Sequence, residues 1–148
     1  MQELIQQLNS SENKEKMNIY IEILKELGNK DLELYCILDP KRILEETSIP
    51  FVAKINNVKK VPIFSKKEYA IEWCEHYNIK YKGNPLIAKL SFSDFYKTIA
   101  IAAINDISIT TLDEGQNSLN IFIPDLFNAN NINFTQNIIM PRMEINQI

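Results

Sequence analysis

Glycine is scarce: the 148-residue chain has three, Gly28, Gly83 and Gly115. They lie too far apart for a phosphate-cradling loop or a dinucleotide fingerprint, each of which needs several glycines within one turn. Histidine occurs once, at His76, so any Ser-His-Asp or Cys-His arrangement has that single imidazole to draw on. The two cysteines, Cys36 and Cys74, come without a CxxC or an HExxH, and zinc is left with no ligand set. Two thiols also make no disulfide framework. Both sit in apolar-patterned segments, as small core hydrophobes in a reduced, cytoplasmic setting. The longest wholly apolar run, Ile99 to Ile104, is far short of the roughly 20 residues that span a bilayer. The opening MQELIQQLNSSENKEK has no uninterrupted apolar region of secretory type. The expectation is a chain with no metal and no cofactor.

What is present is ordinary for a soluble globular protein: 45% apolar residues and a net charge of −3. The length suits one domain able to bury a core without staples. The opening reads as a short helix with Leu4, Ile5 and Leu8 inward, then a longer one. Ser10 or Ser11 would cap the second, Met17, Tyr20, Ile21, Leu24 and Leu27 would form its inner stripe, and Gly28 would stop it. DLELYCILD is a strand closed by Asp39-Pro40. IPFVAKI and KKVPIF form a hairpin about Asn56-Asn57. A helix over the SKKEYAIEWCEHY stretch, the strand LIAKL, the capped helix SFSDFYKTIAIAA and the strands DISITTL and LNIFIP complete the order.

Strand, helix, strand, helix, strand from Lys59 to Leu112 implies two crossovers and hence a partly parallel sheet. The fold class is therefore α/β (α+β): one domain with a mixed β-sheet, two strand–helix–strand crossovers, flanking hairpins and an N-terminal helical lead. Its core spans about residues 13–127. From Asn128 the chain is Asn-rich and weakly patterned, with Ile138 to Met140 as a candidate edge.

The segment VPIFSKKEYAIEWCEHY holds the single tryptophan and the single histidine together with Cys74. Ser65-Lys66-Lys67-Glu68 fits a capping box. A helix starting there puts Tyr69, Ala70, Trp73, Cys74 and Tyr77 on one core-facing stripe. At about 100° per residue His76 lies roughly 160° around from Cys74, so the two cannot converge on a substrate or a metal. His76 stacks instead beside Glu72 as a weak surface ion pair. The segment reads as a core helix. Elsewhere, TTLDEGQNS lacks the alternating oxygens and closing glutamate of a calcium loop and reads as a hairpin connection. The paired acids Glu45-Glu46 and Asp113-Glu114 lie on surface segments.

Residues 49–97 carry nine lysines against Glu68, Glu72, Glu75 and Asp94. Interleaved aromatics could suggest a single-strand nucleic-acid platform. Arginine, the better fork onto phosphate and guanine, appears only at Arg42 and Arg142, which disfavours nucleic acid. A basic face around Lys59, Lys60, Lys66 and Lys67 is the candidate surface for a protein partner.

One pattern is more specific. A leading helix and strand, MNIYIEILKELGNKDLELYCIL, precede a hairpin into Val61-Pro62-Ile63-Phe64-Ser65, followed by Glu68 and Trp73. This order resembles the SseB-like family of bacterial proteins, and DISITTL and LNIFIPDLF follow in the family's order. The resemblance spans roughly Asn13 to Phe127 and is most specific at the Pro-Ile-Phe-Ser stretch. AAINDISITTLDEG lacks the family's glycine and its Ile-Asn-Pro turn, which marks a divergent member. The resemblance implies a small cytoplasmic binding or accessory module without catalytic residues. The expected function is thus a non-enzymatic protein–protein interaction domain. The alternatives are an immunity or inhibitor protein that occludes a toxin and, less favoured, an enzyme with a site built from scattered polar groups.

Overall fold

A computed structural model describes residues 1–42 and 50–132. Glu45-Glu46, Ile138 to Met140 and Arg142 lie outside the described residues. Helices α1 (Gln2–Ser10) and α2 (Asn13–Glu26) lead into strand β1 (Leu34–Ile37) and a single 3-10 turn at Pro40–Arg42. Strands β2 (Ala53–Ile55) and β3 (Val58–Phe64) follow, then α3 (Lys67–Tyr77), β4 (Ile87–Leu90) and α4 (Phe92–Ile104). β5 (Ile109–Leu112), β6 (Leu119–Phe122) and α5 (Ile123–Ala129) end the described chain.

The sheet runs β4-β1-β3-β5-β6, with β2 also paired to β3. Lys60 pairs with both Ala53 and Ile109, and Ile63 with both Cys36 and Leu112. β1 and β2 therefore share one edge of β3 while β5 takes the other. β3 and β5 are parallel, and the remaining pairings among the described residues are antiparallel. Since β1 is antiparallel to both β3 and β4, those two run the same way, and both expected crossovers are present. They travel in opposite directions across the sheet. With the usual right-handed crossover, their helices must then cover opposite faces.

The cores agree. α1, α2, α4 and α5 pack on one face, over Cys36, Val61, Ile63, Leu112 and Ile121. α3 packs alone on the other, where Ala70, Trp73 and Cys74 meet Ile37, Ala53 and Phe64. β3 is covered on both faces, which is why Val61, Ile63 and Phe64 are buried in succession. Beyond α3, that second face turns polar: Asn120 Oδ1 accepts from Thr111 Oγ1 at 3.0 Å and from Lys60 Nζ at 3.1 Å.

Local chemistry explains several boundaries. Asn56 and Asn57 both adopt positive φ, as a two-residue hairpin turn requires. Ser91 Oγ accepts from the Asp94 N–H and caps α4. α3 ends where Asn78 turns left-handed and Ile79 N–H reaches the Cys74 carbonyl at 2.9 Å.

Four expectations are corrected. Ser10 and Ser11 finish α1, their hydroxyls donating to the Gln7 carbonyl, and α2 starts after Glu12 without a side-chain cap. On α2, Leu24 and Leu27 are buried and Tyr20 is half-buried as expected, but Ile19 and Ile23 turn inward while Met17 and Ile21 are 62% and 37% exposed, the contacts with α1 and α5 deciding which apolar side chains face the core. Gly28 is required by close approach and not by a left-handed turn. A β-carbon there would overlap the Asn130 side chain, whose Nδ2 donates to the Leu24 and Leu126 carbonyls. Finally, IPDLFNA forms α5, with proline in its first turn, where LNIFIP was expected to continue as strand through Pro124 and the tail to begin at Asn128.

Candidate functional site

The expected capping box does not form. Lys66, not Ser65, is the N-cap of α3, and no side chain caps it. Ser65 is held elsewhere: its N–H donates to Asp113 Oδ1 and its hydroxyl to Asp113 Oδ2, each at 2.7 Å. Gln2 Nε2 donates to the same Oδ2 at 2.8 Å and to the Asn117 carbonyl at 3.0 Å. Asp113, expected on a surface segment, is fully buried, with φ of 56°. Ser65 follows β3 and Asp113 follows β5, so this carboxylate ties together the carboxyl ends of the parallel pair and anchors α1 beside them.

Directly beyond those strand ends lies a groove of about 370 Å³ between α3 and the β5–β6 loop. This is the end of a parallel pair where α/β folds commonly place ligands. Its aromatic wall is Tyr69, Trp73 and Tyr77, and its polar groups include Glu72, His76 and Glu114. Trp73 is only 8% exposed, yet its ring lies 5.0 Å from that of Tyr77, which is 58% exposed. Tyr77 was expected in the core stripe. One further turn of α3 carries it past the sheet, onto the groove. Phe51 and Phe64 hold the inner side of Trp73 at centroid distances of 6.1 and 6.2 Å. Gly115 completes the floor. Its φ of +92° and the Trp73 Cδ1 atom 3.3 Å from a β-carbon position both favour glycine there.

His76 does not pair with Glu72. Its ring sits edge-on to Tyr77 at 4.7 Å, and Glu72 accepts from Gln116 Nε2 at 3.0 Å. The lysine quartet is split. Lys59 and Lys60 lie in the first half of β3, whereas Lys66 lies beyond its far end, at the start of α3. Lys60 is engaged by Asn120, and Lys59 stands opposite Lys54 on the hairpin. Lys66 alone borders the groove, its Nζ 5.5 Å from the Tyr69 ring centre. Lys67 is exposed on the first turn of α3.

Both thiols are buried: Cys36 faces the larger core and Cys74 the smaller. Burial pushes Cys36 up to about 12, and burial, with a smaller contribution from the Glu75 charge, pushes Cys74 up to about 11, so neither is an activated nucleophile. Among the described residues no three His, Cys, Asp or Glu side chains converge as metal ligands, and no helix is long and apolar enough to cross a membrane. The groove residues Glu114 and Gln116 gave no sequence signal beyond the turn composition of DEGQNS. Comparison with known proteins adds no relative: no family model, curated protein or solved structure matches the chain.

Proposed function

We propose that this chain is a protein-binding domain, acting by contact and not by catalysis, and that the groove between α3 and the β5–β6 loop is its contact surface. The observation that carries this reading is the Trp73–Tyr77 pair. One ring is fixed in the core and the other is more than half exposed on top of it. Aromatic anchors with little freedom left to lose are the side chains that dominate protein interfaces. The resemblance to the SseB-like family supports the same reading, since Phe64 and Trp73, two of the residues that carry it, pack α3 against the sheet where the groove forms. The lysine face joins it only through Lys66.

The test is affinity capture from lysate of the source organism with the wild-type chain and with Tyr77→Ala, a surface truncation that leaves the core intact. A partner held by the wild type and lost by the variant supports the reading. Equal retention by both would place the contact elsewhere. The captured protein's identity separates a generic module from an inhibitor that occludes an enzyme.

A further inference from the structure

Resting on the reading of the groove as a contact surface, we infer that its occupant is an arginine side chain presented by a protein partner. The lining carries two carboxylates, Glu72 and Glu114, and neither lysine nor arginine. Glu114 is half-buried, and no hydrogen bond or ion pair engages it among the described residues. Glu72 spends one oxygen on Gln116 and keeps the other. The Trp73 and Tyr77 rings line the same groove, tilted 52° to each other. Carboxylates beside an open aromatic face select a cation. The electron-rich ring face attracts it, and half-burial of Glu114 limits how far water weakens the charge.

Arginine fits this combination better than lysine. Its planar fork can bond carboxylate oxygens while its flat side stacks on a ring, and a point-like ammonium does only one of these well. The chain already uses the lesser version at the groove's rim, where the Lys66 ammonium lies over Tyr69. That ring face is taken, which leaves the Trp73–Tyr77 wall for the incoming group. The volume, near the lower end of the roughly 300–1,000 Å³ typical of ligand pockets, has room for one such side chain.

The probe is acetyl-Gly-Arg-Gly-amide, titrated into the ¹⁵N-labelled full chain at low salt beside its citrulline and lysine counterparts. Citrulline keeps the shape of arginine and removes the charge. The expected result is saturable shifts at the Trp73 indole N–H, Tyr77 and Gly115, with arginine binding about fivefold more tightly than citrulline. Glu114→Gln, whose own spectrum reports its folding, should weaken arginine and leave citrulline unchanged. Equal binding of arginine and citrulline, or shifts only outside the groove, would overturn the assignment. So would a groove that shifts with protein concentration alone, which would make a second copy the occupant. If no peptide shifts the groove while Tyr77→Ala still abolishes partner capture, the arginine assignment fails and the contact surface stands. If Tyr77→Ala keeps the partner, the underlying reading fails and takes the assignment with it.

Discussion

Replacing Asp113 by alanine removes one acceptor from three donors: the Ser65 N–H, the Ser65 hydroxyl and Gln2 Nε2. The Ser65 N–H is fixed to the backbone and part-buried, so losing its charged acceptor costs about 2 kcal/mol. The hydroxyl and the Gln2 amide can turn towards water, and together they add about 1 kcal/mol. Alanine at a φ of 56° adds about 1 kcal/mol more, a strain that Asp and Asn tolerate better. The sum, about 4 kcal/mol, is a large part of a typical 5–15 kcal/mol stability. Asp113→Asn keeps an oxygen for the Ser65 N–H and suits the left-handed backbone, so its cost should be about 1 kcal/mol. Urea unfolding of wild type and both variants measures the difference. Unfolding of Asp113→Ala within experimental error of the wild type, or an asparagine variant that costs as much as alanine, would show that Asp113 does not hold these donors.

Four other outcomes are expected. Burial holds the Cys36, Tyr20 and Tyr96 protons up to about 12 in the folded chain, against ordinary values of 9.0 for the thiol and 10.0 for the tyrosines. Because the folded values are raised, the stability tied to them is present below pH 9 and is lost as pH climbs towards 12, which thermal unfolding across that range checks. Native Cys36 and Cys74 should accordingly resist a thiol reagent at pH 8 and react once urea is added; fast native labelling would contradict their burial. The Tyr96 hydroxyl is buried without a hydrogen-bond partner among the described residues, against Phe92, Phe95 and Phe127. Tyr96→Phe should thus raise stability by about 1 kcal/mol, and a loss of that size would show that the hydroxyl has a partner. Lys54 and Lys59 face each other directly across the hairpin, so Lys54→Glu should raise stability by several tenths of a kcal/mol, an effect that fades in high salt.

The two crossovers were legible because strand and helix periods alternate cleanly from Lys59 to Leu112, and Asn56-Asn57 named its own turn. The inner face of α2 was legible at Tyr20, Leu24 and Leu27 and not at Met17 and Ile21, which give way to Ile19 and Ile23 because only packing against α1 and α5 decides between neighbouring apolar side chains. The role of Ser65 was hidden for a different reason. Its sequence context is that of a capping box, yet a carboxylate 48 residues away offers it a stronger bond than an orphan amide of α3. α5 was obscured by Pro124, which ends strands and starts helices alike. Half of the groove, Tyr69, Trp73 and Tyr77, stood in plain view as an aromatic stripe. Its carboxylate half at Glu114 comes from a loop that only the β3–β5 pairing brings alongside.

The contact surface is tested most directly by placing a photo-crosslinking phenylalanine analogue at position 77, and separately at position 22 on the opposite side of the sheet, and irradiating each in source lysate. One protein adduct is expected from position 77 and none from position 22. The same adduct from both positions, or an adduct from position 22 alone, would contradict it.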